Sequence, residues 1–196
     1  MELLKQLYGI SSKSGMEERM KSFVLDCVSD VELSVETDEI GNLFITKGEA
    51  ELYPCIAAHL DEIHSPCERT VIIEGNRVFT VDRLWNHVGC GADDKNGLWV
   101  IINLLHSEPR LKVALFVQEE RVGDNAGCRG ARACDLSFFN DVKFVLECDR
   151  KGSSDVVSIG KDELVLCHQD FIPQGILRRY GYEMVKGGKT DVVELK

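Results

Sequence analysis

Three apolar runs in this chain stop abruptly on histidine or carboxylate side chains, and a fourth short stretch sets two aspartates behind a glycine. The runs are Cys55-Ile56-Ala57-Ala58-His59-Leu60-Asp61, Val113-Ala114-Leu115-Phe116-Val117-Gln118-Glu119-Glu120 and Val142-Lys143-Phe144-Val145-Leu146-Glu147-Cys148-Asp149. The aspartate pair lies in Gly91-Ala92-Asp93-Asp94-Lys95. A short apolar run bounded by polar residues is the pattern of a strand buried on both faces. Ending such a strand on a charge is costly unless something at its tip pairs with that charge. Repeated within one small domain, the pattern points to a shared divalent-cation site.

Around these runs the periodicity alternates. Leu3, Leu4, Leu7 and Tyr8 space as a short helix ended by Gly9, and a second helix is expected to open at Ser14 or Gly15 with Met16, Met20, Phe23, Val24 and Cys27 on its apolar face. Strands are expected at 31–36 and 42–47, joined by the Asp38–Gly41 turn, then at 54–59, with a hairpin of 70–74 and 77–81 around Gly75-Asn76. From Asp94 the pattern is helical, with Leu98, Val100, Ile101, Leu104 and Leu105 supplying an apolar face. Strand 112–118, a short helix near 127–134, strand 142–148, weaker strands at 156–159 and 163–166, and a helix over 170–182 with Pro173 in its first turn complete the series. Such alternation implies an α/β fold, a three-layer αβα arrangement around a mixed, mainly parallel sheet. Open parallel sheets bind ligands just beyond the carboxyl ends of their strands. His59, Asp61, Glu119, Glu120 and Asp149 all fall at such ends, and Asp93 falls at the start of a helix, where the dipole favours a carboxylate.

At 196 residues the chain suits a single domain spanning 1–196, and 44% apolar with 29% charged residues is a globular composition. A formal net charge of −10 argues against nucleic acid or an anionic membrane surface as partner. No apolar run approaches the roughly 18 residues that span a bilayer, and Met1-Glu2-Leu3-Leu4-Lys5 lacks the features of a secretory signal. The eight cysteines include no Cys-x-x-Cys pair and sit mostly in apolar segments, as buried thiols in a reducing cytoplasm would. A cytoplasmic location is expected.

Each candidate also has a plain structural reading. His59 could be a metal ligand with Asp61 fixing its imidazole tautomer, or both could be polar residues at a strand end. Asp93-Asp94 could cap a helix. Glu119-Glu120 could be a solvated turn, or divide labour between binding metal and accepting a proton. Asp149 could join the cation or pair with Arg150 or Lys151. The plain readings hold one at a time. They fail jointly, because they must hold independently at four places that the sheet brings to one edge.

The ordered set His-x-Asp, Gly-x-Asp-Asp-Lys, Glu-Glu and Asp resembles that of the co-catalytic zinc exopeptidases, which include aminopeptidases of the peptidase T and glutamyl aminopeptidase types, dipeptidases and related carboxypeptidases. The resemblance covers residues 54–150, and Gly187-Gly188-Lys189-Thr190-Asp191 resembles the family's late Gly-Gly-x-Thr-Asp segment. It implies a catalytic domain of the phosphorylase/hydrolase-like type that hydrolyses peptide bonds with a hydroxide generated at zinc. By position, His59 and Asp149 would bind one zinc, Asp93 would bridge two, Glu120 would bind the second, Glu119 would be the general base and Asp61 would orient His59. Zinc is the implied cofactor, with cobalt or manganese as substitutes, and a peptide or small amide the implied substrate. Oligomer formation stays open.

Two departures from the family stand out. No histidine follows Asp191, where relatives carry the last ligand of the second zinc, so the chain reads as truncated at its C-terminus and the second metal as weak or absent. The gaps between His59 and Asp93 and between Asp149 and Gly187 leave no room for an inserted lid domain. Two alternatives follow: an inactive relative acting as a metal-binding domain, or an amidohydrolase for acylated amino acids.

Overall fold

In chain order the elements are α1 (Glu2–Gly9), α2 (Glu18–Cys27), β1 (Ser34–Thr37), β2 (Leu43–Lys47), β3 (Tyr53–His59), β4 (Thr70–Glu74), β5 (Arg77–Val81), β6 (His87–Val88), α3 (Ala92–Ser107), β7 (Leu111–Phe116), α4 (Arg129–Ala133), β8 (Val142–Glu147), β9 (Asp155–Ile159), α5 (Gln174–Tyr180) and β10 (Glu183–Lys186). The computed structural model describes residues 1–124, 126–152, 154–160, 164–168, 171–187 and 190–195. Five strands form the central sheet in the order β1-β2-β7-β3-β8. The β1–β2 and β2–β7 pairings are antiparallel and the β7–β3 and β3–β8 pairings parallel, so β2 alone runs against the rest. Among the described residues no helix is long and apolar enough to cross a membrane, and no disulfide forms.

Strand alternation explains the unbroken apolar runs. Ile56 and Ala58 of β3, Val113 and Leu115 of β7, and Leu43 and Ile45 of β2 face a core shared with Leu7, Met20, Val24, Leu98, Ile101 and Leu105 of the first three helices. The intervening Cys55, Ala57, Ala114, Phe116 and Phe44 face a second core built with Ala131 of α4 and with Phe138 and Phe139. Both faces of the sheet are therefore covered, which gives the three-layer arrangement expected. Each large aliphatic side chain so buried contributes about 1.5–3 kcal/mol, and the small Ala57, Ala58 and Ala114 let both helical layers approach the strands that carry the site. A three-stranded sheet, β4-β5-β6, and a parallel pair, β10-β9, lie outside this sandwich.

Several boundaries differ from expectation. The second helix does not open at Ser14 or Gly15 but at Glu18, because Met16 N–H closes a turn on the Lys13 carbonyl and Glu17 accepts from the Gly15 amide. Met16 consequently lies outside the helix and is exposed rather than on its apolar face. Strand β1 starts at Ser34 rather than 31. Pro173 is the residue before α5, not part of its first turn. Val165 forms a single bridge to Ile159 where a strand over 163–166 was expected. Residues 163 and 170, and Gly188 and Lys189 of the late glycine segment, fall outside the described residues.

Candidate metal centre

Because β7, β3 and β8 run parallel with β3 in the middle, their carboxyl ends meet at one edge. His59 closes β3, the chain from β7 continues into Glu119 and Glu120, and the chain from β8 continues into Asp149. Asp93 arrives from the start of α3, where Asp93 and Asp94 depart from helical geometry and are joined by a cis peptide bond.

The imidazole of His59 is buried and held from both sides. Its Nδ1 lies 3.1 Å from the Asp61 backbone oxygen and 3.4 Å from Asp61 Oδ1. A carbonyl can only accept, so Nδ1 carries a proton and Nε2 is the nitrogen presented to the site. Nε2 is 2.9 Å from Asp93 Oδ1. Burial works against a charged ring, but the hydrogen bonds to Asp61 and Asp93 outweigh it and raise the His59 pKa well above its ordinary value.

Asp61 does more than orient His59. Its carboxylate accepts the Glu119 amide at 2.9 Å and the Glu120 amide at 3.1 Å, tying the β7 extension to the β3 extension. The same segment is gripped from its other side. The amides of Cys128, Arg129 and Gly130 donate to the carbonyls of Glu119, Gln118 and Val117 at 2.7, 3.0 and 3.0 Å. Buried Asn42 completes the grip, accepting from the Val117 amide and donating to the Gly130 carbonyl, both at 3.0 Å. A Cβ at Gly130 would collide with Asn42 Oδ1 and the Val117 carbonyl, so only glycine permits this approach.

One oxygen each of Asp93 and Glu120 and one nitrogen of His59 all lie within 4.8 Å of one another. Asp149 hydrogen-bonds to Asp93 from the neighbouring strand end. The carboxylates crowd: burial first, then Asp93, Glu119 and Asp61, push Glu120 up to about 7. Burial, then Asp93, Asp94 and Glu147, push Asp149 up to about 8. Asp93, Glu119, Glu120 and Asp149 share a cleft of about 360 Å³ with Arg121 and Thr190. Asp94 is not part of this set. It turns inward, accepts the Gly97 amide at 3.0 Å, and is pushed up to about 7 by burial. The remaining histidines lie elsewhere: His64 against Gly89, His87 beside Phe79, His106 near the Cys27 carbonyl, and His168 exposed.

Beneath the site is an ionic cluster not anticipated from sequence. Glu62 accepts from Lys95 Nζ at 2.7 Å and from Arg69 Nη2 at 2.9 and 3.0 Å, and all three side chains are buried. Lys95 also donates to the carbonyls of Ile10 and Cys90. Burial lowers its pKa to about 8 despite the Glu62 charge. A Cβ at Gly91, whose φ is 64°, would strike the Glu62 carboxylate, so the turn before Asp93 is built around this cluster. A signal was present: Lys95 stands three and seven residues before the buried Leu98 and Ile102, on the apolar face of α3.

No protein-family model and no curated protein sequence matches the chain. Solved structures do. An aminopeptidase, PepT, from Bacillus cereus ATCC 10987 is 20% identical with a TM-score of 0.66 over 81% of this chain and 45% of its own. A tripeptidase from Staphylococcus aureus is 19% identical with the same score and coverage. An aminopeptidase from the archaeon Desulfurococcus kamchatkensis is 17% identical with a TM-score of 0.67 over 99% of this chain and 82% of its own. The chain thus has the fold of these exopeptidases and spans less than half the length of the first two.

Proposed function

We propose that this chain is the catalytic domain of a divalent-metal-dependent peptidase that removes residues from the amino end of short peptides. The observation that carries this reading is the convergence of His59, Asp93 and Glu120 within 4.8 Å, beside a cleft lined by Asp93, Glu119, Glu120 and Asp149. The donor set, one imidazole nitrogen and hard carboxylate oxygens, suits zinc, cobalt or manganese. The charge balance supports a cation as well, since burial first and neighbouring carboxylates next push Glu120 and Asp149 up to about 7 and about 8, and a bound cation would favour their ionised forms.

His59, Asp93, Glu120 and Asp149 would hold the metal, which supplies Lewis-acid polarisation of the scissile carbonyl and a more acidic water. Glu119 lines the same cleft without belonging to the three-residue cluster, as a general base should: it takes a proton from water and returns it to the leaving amine. Asp61 fixes both the ring of His59 and the backbone of the two glutamates, so ligand and base keep their relation as substrate enters. The likeness of fold to aminopeptidases and a tripeptidase supports peptides over other amides.

The test is release of the amino-terminal residue from di- and tripeptides and from aminoacyl p-nitroanilides. Turnover should stop with chelator and return with zinc or cobalt. Turnover indifferent to chelator, or found only on acylated amino acids, would overturn the reading.

A further inference from the structure

The cleft contains a thiol that the reaction does not require. Cys128 is 1% exposed, and its Sγ lies 3.1 Å from Glu119 Oε1. Its amide donates to the carbonyl of the same glutamate at 2.7 Å, so main chain and side chain of one residue hold main chain and side chain of the other. Cys128 adopts φ 52°, and Gln118, immediately before the base, adopts φ 54°. Left-handed geometry at a non-glycine residue costs about 1–2 kcal/mol, and such conformations persist where surrounding structure imposes them, often at functional sites. Here both flank the contact between Cys128 and Glu119.

We propose that Cys128 is a positioning residue for Glu119. Its S–H donates to Oε1 and fixes the carboxylate rotamer, so that Oε2 is the oxygen that takes up the proton. The proposal rests on the peptidase reading for its kinetic consequence but not for the contact itself. A carboxylate on a three-torsion side chain at a half-buried loop otherwise samples several rotamers. Misplacing a reacting group by about 1 Å can cost on the order of 10²-fold in rate.

The experiment compares Cys128→Ser, which keeps a donor of similar reach, with Cys128→Ala, which removes it at the same backbone conformation. In zinc-loaded full-length chain, with an aminoacyl p-nitroanilide as substrate, Cys128→Ala should lower kcat about tenfold with KM changed less than about twofold. Cys128→Ser should restore kcat to within about threefold of the parent chain. Equal losses in both variants, or loss in neither, would overturn the proposal. An infrared readout is independent of activity: the S–H stretching band that disappears in Cys128→Ser should shift in Glu119→Ala. An unmoved band overturns the contact whatever the activity. A shifted band in a chain that hydrolyses nothing would sink the peptidase reading and leave the thiol–carboxylate contact established.

Discussion

Asp61 holds Glu119 by its main chain, with a carboxylate oxygen 2.9 Å from the Glu119 amide nitrogen. It holds Glu120 in the same way at 3.1 Å and faces the His59 ring through its own carbonyl. An acid expected only to orient an imidazole is therefore the joint between two strands. Asp61→Ala should lower metal affinity about 10–100-fold and, by leaving two amides without their acceptor, cost about 2–4 kcal/mol of stability. Calorimetric zinc titration and urea denaturation check both. Lost affinity at unchanged stability would show that the amide contacts carry no weight.

Glu119 is assigned the proton transfer and no share of the metal. Glu119→Gln should lower kcat by on the order of 10²–10⁴ while zinc affinity and thermal midpoint stay close to those of the parent. Steady-state kinetics paired with zinc titration decide this, and a large loss of metal would move Glu119 into the ligand set.

The carboxylates predict an unusual response to pH. Burial chiefly raises Glu120 to about 7 and Asp149 to about 8, and His59 is raised too. A group whose folded pKa exceeds its unfolded one contributes fully below the unfolded value and loses that contribution as pH rises through the folded value. Unfolded carboxylates titrate near pH 4, so these groups should make the metal-free chain progressively less stable from about pH 5 to pH 8. A bound cation favours the ionised forms, so stabilisation by zinc should be larger at pH 8 than at pH 6. Melting curves at both values, with and without zinc, measure it; equal stabilisation would argue that Glu120 and Asp149 are not ligands.

Among the described residues His59 is the one histidine in the cluster with Asp93 and Glu120, and His64, His87, His106 and His168 lie elsewhere. No further histidine among the described residues joins that cluster to hold a second cation. We expect one zinc bound tightly per chain, counted by elemental analysis after gel filtration. Two retained equivalents would contradict this.

Glu62 pairs with both a buried Lys95 and a buried Arg69. Glu62→Ala strands both cations and should cost about 3–5 kcal/mol, enough to threaten folding. Glu62→Gln keeps the hydrogen-bonding shape and should cost less. Denaturant midpoints for the pair measure the difference, and equal midpoints would mean that packing rather than charge matters there.

What was legible in the sequence follows from how local the signal was. The two-sided burial of β3 and β7 was written in their unbroken apolar runs, and the strand ends marked His59, Asp61, Glu119 and Glu120 directly. Asp93 over Asp94 followed only from the family resemblance, and Asp94 turns inward to accept the Gly97 amide. Contacts between distant residues were not legible. Asn42 reads as the first residue of strand 42–47, yet its amide clamps Val117 and Gly130 from 75 and 88 positions away. Arg69 looks like a surface charge until the fold closes over Glu62, and only the helical spacing of Lys95 with Leu98 and Ile102 hints at the cluster. The start of α2 was misplaced because helical spacing through Met16 is indifferent to a turn made by Lys13, Gly15 and Glu17.

The paired ladder of 117–119 with 128–130 works as a bracket around the chain that leaves Glu120 and returns at Gly127. Glu119 is itself one side of the bracket, and the Gly127 backbone packs against its carbonyl. Arg121, Ala126 and Gly127 border the cleft. On the peptidase reading proposed above, exchanging that segment would change the lining of the cleft while Asp61 still holds the amides of Glu119 and Glu120.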